Sequence, residues 1–105
     1  MFYRYETHLH TSEVSKCGAS TAVEMVRAHK AAGYAGIVVT DHFINGNCVV
    51  PSHLSWQEQI ELFARGYEAA KAEGDKVGLD VFFGIEYPNN PYGEDYLIYN
   101  VDKEF

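Results

Sequence analysis

The chain has little cysteine, little positive charge and no long apolar run. Its 105 residues include two cysteines, Cys17 and Cys48, fewer than the disulfide framework of a small secreted domain needs. Eight Lys and Arg stand against 15 Asp and Glu, a formal charge of -7. An acidic domain repels phosphate backbones, which excludes a broad nucleic-acid surface. The same charge suits divalent cations, and an anionic substrate would then be held by bound metal rather than by a basic patch. No apolar stretch approaches the roughly 20 residues of a membrane span. Arg4 and Glu6 make the opening segment polar, unlike a secretion signal. A reduced, cytoplasmic protein with no membrane partner is therefore expected. Internal repeats and low-complexity segments are also missing. What is present is enough for a packed core: apolar residues make up 47% of the chain and aromatics 14%, and the length suits one domain.

Hydrophobic periodicity divides the chain into an alternation of strands and helices. Phe2 to His8 alternates and is rich in aromatics, as a strand would be. Thr11 to Ser20 is polar and reads as a loop. Thr21 and Glu24 form a capping-box pattern that opens a helix to about Ala32, with Gly33 as its stop. Ala22, Met25, Val26, His29 and Ala32 share one face of that helix. The run Ile37-Val38-Val39 suits a strand buried on both faces. Asp41 to Leu54 is a long loop carrying Asn45-Gly46 and Pro51. A second capping box, Ser55 and Glu58, opens an amphipathic helix through Trp56, Ile60, Phe63, Tyr67 and Ala70, expected to end near Gly74. Val81 to Ile85 is a third strand, Pro88 to Gly93 a turn-rich loop, and Tyr96 to Tyr99 a fourth strand. The order β-α-β-α-β-β belongs to an α/β fold with a parallel sheet or barrel.

In such folds, sites form beyond the carboxyl ends of the strands. His8 and His10 close the first strand, Asp41 and His42 follow the second, and Glu86 closes the third. Side chains two apart on a strand point the same way, so His8 and His10 can reach one ion while Leu9 turns to the opposite side. Neutral imidazole is a ligand suited to Zn, Mn or Fe, and a carboxylate such as Glu86 could bridge two cations. Two adjacent cations can grip a phosphate and lower the pKa of a bound water. Singly, each residue also has an ordinary structural role: His42 as a capping or core histidine, Glu86 as a solvated strand end. Placement at three successive strand ends favours the metal site.

Glu6-Thr7-His8-Leu9-His10-Thr11 resembles the first motif of the PHP family, the polymerase and histidinol phosphatase domains. Thr40-Asp41-His42 resembles its second motif and Gly84-Ile85-Glu86 its third, in the same order and the same β-α-β-α-β context. The resemblance implies the N-terminal part of a distorted (β/α)7 barrel holding up to three divalent metals. It implies hydrolysis of a phosphate ester by metal-bound hydroxide, on a phosphorylated small molecule, a nucleotide or an oligonucleotide end. By the match, His8 and His10 hold one metal, His42 a neighbouring one, Glu86 bridges, and Asp41 supports the ligands from behind rather than binding an ion.

Two departures from the family pattern bear on this. Family members carry an Asp or His ligand in the loop after the first motif, commonly in a Ser-Asp-Gly-like stretch. Ser15-Lys16-Cys17-Gly18 stands there instead, leaving three alternatives: Cys17 as a soft ligand, Glu13 reaching in, or no ligand. The family's later motifs supply two more histidines and an Asp-x-His, whereas no histidine follows His53 before Phe105. The chain therefore reads as a partial PHP-type domain, with weak activity expected of it alone and self-association expected through an open sheet edge at Tyr96 to Tyr99. A non-catalytic metal-binding module with an incomplete site is the competing function. An amidohydrolase-type barrel also opens with His-x-His, but the second and third motifs do not fit its pattern. His29 reads as a packed histidine, His53 as an exposed loop residue, Cys48 as a buried or free thiol, and Tyr87, Tyr92, Tyr96 and Tyr99 as core and rim packing.

Overall fold

The computed structural model describes residues 3–44, 46–89 and 94–101. Phe2, Asn45, residues 90–93 with Tyr92, and Phe105 lie outside them. Four strands form one sheet in the order β1 (Tyr5–Leu9), β2 (Gly36–Val39), β3 (Asp80–Asn89), β4 (Glu94–Tyr99). The first three run parallel; β4 runs antiparallel to β3. The connections dictate this. Helices α1 (Ala22–Ala31), α2 (Trp56–Phe63) and α3 (Arg65–Val77) fill the crossovers between parallel strands, whereas the link from β3 to β4 is too short for anything but a hairpin.

Both capping boxes form. Thr21 and Ser55 accept from the backbone N–H groups of Glu24 and Glu58, whose carboxylates reach back to the cap residues. The second helix differs from the sequence expectation in two ways, so the order is β-α-β-α-α-β-β. It breaks at Ala64, and it passes Gly74 to end at Val77, with Gly78 at φ 79° as the left-handed terminator. Gly74 serves packing instead: a Cβ there would lie 2.6 Å from both the Leu79 carbonyl oxygen and Val81 Cγ2. The third strand also outruns its expected end at Ile85, because pairing with β4 carries the ladder on to Asn89 opposite Glu94.

The helices cover one face of the sheet. Leu9, Ile37, Val39 and Val81 meet Val26 of α1 and Ala70 of α3 in one apolar cluster. Phe63, Phe83, Ile85 and Val14 form a second, in which Tyr67 stacks on Phe83 with ring centroids 4.6 Å apart and planes 4° from parallel. The opposite face is concave. The Tyr99 hydroxyl donates to the Thr7 carbonyl at 3.0 Å, although three inter-strand spacings, about 14 Å, would separate β4 from β1 in a flat sheet. The sheet is thus curled into a half-barrel. Among the described residues, no helix is long and apolar enough to cross a membrane.

Candidate metal centre

The site begins with an irregularity in β1. Glu6 pairs with Ile37, but Leu9 pairs with Val39, so β1 spends one more residue than β2 over the same span. A residue inserted this way re-aims the side chains beyond it. Glu6, before the irregularity and paired with the helix-side Ile37, sits on the helix side, its Oε2 4.0 Å from His29 Nε2. His8, two residues on, faces the concave side, and Leu9 fills the helix-side core.

There His8, His10 and His42 surround one carboxylate. His8 Nε2 makes a short contact with Glu86 Oε1, His10 Nε2 lies 2.9 Å from the same oxygen, and His42 Nδ1 lies 3.3 Å from Oε2. The elements explain the convergence. His42 directly follows the buried β2 and forms a parallel bridge with Glu86, and the Glu86 N–H donates to the Asp41 carbonyl at 3.0 Å. The Glu86 side chain is 7% exposed, against 50% for His8, 20% for His10 and 15% for His42. The carboxylate thus forms the floor and the imidazoles the walls, with His8 at the open side.

Cys17 joins from the loop after β1, its Sγ 3.2 Å from His10 Nδ1. Two groups of ligand atoms, His8-His10-Glu86 and His10-Cys17-His42, each lie within 4.8 Å of one another. An ion with bonds near 2.1 Å sets its ligands about 3–3.4 Å apart, close to the 2.9 and 3.3 Å that separate His10 and His42 from Glu86. The donor set therefore fits a divalent ion. Glu13 does not reach this site: both its carboxylate oxygens accept from the Ala22 N–H at the start of α1, at 3.0 and 3.1 Å.

Asp41 stands behind the ligands, 1% exposed. Its Oδ1 accepts from the Thr11 N–H at 2.6 Å and the Ser15 hydroxyl at 2.9 Å; its Oδ2 accepts from the Thr11 hydroxyl at 2.8 Å. The Ser15 oxygen in turn accepts from the His42 N–H at 3.0 Å. Burial pushes the Asp41 carboxyl above its ordinary range, while the bonds from Thr11 and Ser15 pull it back. This knot ties the residue after His10 to the residue before His42. Thr11, Ser15 and Gly66 escaped the sequence reading. Gly66 carried the one available signal, a glycine inside a helical pattern. A Cβ at Gly66 would collide with Thr11 Oγ1 and lie 2.7 Å from Asp41 Oδ2.

The remaining candidates lie elsewhere. His29 Nδ1 contacts the Met25 carbonyl at 2.8 Å, and its ring packs edge-on against Tyr34. His53 is exposed. Cys48 is buried, and burial pushes its thiol up. Tyr87 packs near Phe43, with ring centroids 5.7 Å apart.

No protein-family model matches the chain, and no curated protein matches it. Among solved structures, the chain is similar to a protein of Bifidobacterium adolescentis provisionally described as a metal-dependent phosphoesterase. The TM-score is 0.62 at 18% sequence identity, over 92% of this chain. At that identity the likeness is one of fold. The match covers 27% of the other chain's length, so the present chain corresponds to about a quarter of it.

Proposed function

We propose that this chain is part of a metal-dependent phosphoesterase domain of PHP type, and that His8, His10, His42 and Glu86 hold its metal ions. The observation that carries this is the division of labour at Glu86. One oxygen faces His8 and His10 and the other faces His42, the arrangement a carboxylate needs to bridge two cations. Zn, Mn or Fe fit these donors. When bound, such ions supply Lewis acidity and a water of lowered pKa. The protein's own part is positional. Glu86 fixes the imidazoles, the Asp41 knot holds the two strand ends that carry His10 and His42, and His8, half exposed, stands where a phosphate ester would enter. The similarity to the B. adolescentis protein supports the phosphoester class; a phosphorylated small molecule or a nucleotide would be the substrate.

The competing function, a metal-binding module without catalysis, has the same donors and differs only in turnover. Hydrolysis of a generic phosphomonoester with added Mn or Zn separates the two. Weak, metal-dependent turnover, below the order of 1 per second usual for enzymes and abolished in Glu86→Ala, is expected of this chain. Metal binding with no turnover at all would leave the module. Turnover unchanged in Glu86→Ala would remove the site.

A further inference from the structure

We infer that the ion position on the His42 side of Glu86 is a thiolate site, with Cys17 as a direct ligand, and that it selects thiophilic ions of the Zn class over Mg or Mn. The inference rests on the metal-centre proposal above and adds the identity of a ligand and the ion class it implies.

Three observations place Cys17. Its Sγ lies 3.2 Å from His10 Nδ1, and it forms with His10 and His42 a group of ligand atoms within 4.8 Å of one another. His10 uses its other nitrogen, Nε2, toward Glu86 Oε1, so Cys17 stands at the Nδ1 edge of His10, away from the first ion position. Cys17 is also carried by a braced segment rather than a free loop. The Ser15 N–H donates to the Thr11 carbonyl at 2.9 Å, the Lys16 N–H to the Asn47 carbonyl at 2.9 Å, and the Gly18 N–H to the Ser15 carbonyl at 3.0 Å. At Gly18 a Cβ would lie 2.7 Å from the Thr11 carbonyl carbon. The absent side chain therefore lets the turn press against the backbone beside His10, which sets Cys17 at the rim.

The chemistry follows from the donor. On binding, the Cys17 S–H proton passes to solvent and a sulfur–metal bond forms. Thiolate is a soft ligand that favours Zn, Co and Cd, while the harder Mg and Mn bind it poorly. The position bounded by His8, His10 and Glu86 has no sulfur and stays permissive. The two halves of the site would then differ in preference, and alkylation or oxidation of Cys17 would disable one of them.

Cobalt(II) tests this with a readout independent of activity. In a Cys48→Ala variant, Cys17 is the sole thiol. Titration with Co(II) should produce visible d–d bands together with a near-ultraviolet thiolate-to-cobalt charge-transfer band. Adding Cys17→Ser should abolish the charge-transfer band and leave d–d absorption from the remaining His and Glu donors. Saturating Zn should also protect Cys17 from iodoacetamide, and Mg should not. Cys17 is exposed, so its replacement leaves the core intact, and circular dichroism checks this. Visible bands without the charge-transfer band would overturn the thiolate ligand alone. Absence of any cobalt bands would overturn it together with the metal centre on which it rests.

Discussion

Replacing Asp41 separates its role as a hydrogen-bond hub from its charge. Asp41→Ala removes the acceptor for the Thr11 N–H, the Thr11 hydroxyl and the Ser15 hydroxyl at once. Thr11 and Ser15 are 0% and 1% exposed, so bulk water cannot take its place. Each buried donor left unmade costs about 1–3 kcal/mol. The hydroxyls can rotate toward other acceptors and recover part of this, leaving a loss of about 3 kcal/mol or more. Asp41→Asn has nearly the same shape. Its carbonyl oxygen can keep the Thr11 N–H and Ser15 bonds, and its NH2 can donate to a Thr11 hydroxyl turned to accept. It also removes a buried charge whose desolvation raises the carboxyl's pKa, which offsets the weaker neutral hydrogen bonds. A change within about 1 kcal/mol is expected. Urea unfolding followed by circular dichroism reads the difference. With a slope of about 1–3 kcal/mol per molar, 3 kcal/mol lowers the midpoint by about 1–3 M, while Asp41→Asn should stay near wild type. Equal midpoints for the two variants would refute the hub.

Gly66→Ala drives a Cβ into Thr11 Oγ1 and against Asp41; a loss of about 1–3 kcal/mol, typical of overpacking, should appear in the same urea assay, whereas the exposed Ala19 should tolerate Ser without effect. Zinc at about 100 times its dissociation constant should stabilise the folded chain by about 2.7 kcal/mol, roughly 10–20 °C in melting temperature, and much less in Glu86→Ala; equal shifts in both would place the zinc elsewhere. The concave face exposes Tyr5, Phe82 and Tyr99, and among the described residues β1 and β4 each pair on one side only, so sedimentation at micromolar concentration should show self-association. A cooperative monomer would mean that these surfaces are not adhesive.

Local signals made most of the fold legible. Capping boxes marked both helix starts because hydroxyl and carboxylate act within four residues of each other. The β-branched run Ile37 to Val39 marked the buried central strand. The positions of His8, His10, His42 and Glu86 were legible because strand ends in a parallel sheet share one rim. The break at Ala64 was not, since alanine is the best helix former and nothing local opposes it. The helix turns where Gly66 must fit against Thr11 and Asp41, residues far away in sequence. The irregularity in β1 was hidden for a similar reason: alternation alone puts Glu6 and His8 on one face, and the register with β2 separates them. The roles of Thr11 and Ser15 depend on a carboxylate about 30 residues downstream, which no local pattern encodes.

The most direct test is where a metal ion sits. Anomalous diffraction at the zinc edge, from crystals of this chain grown with zinc, locates the ion independently of activity and of any substrate. A peak bounded by His8 Nε2, His10 Nε2 and Glu86 Oε1, lost in crystals of Glu86→Ala, is the expected result. Zinc found only at the exposed His53 or at surface carboxylates, with the His8–His10–Glu86 contacts unchanged around an empty centre, would contradict it.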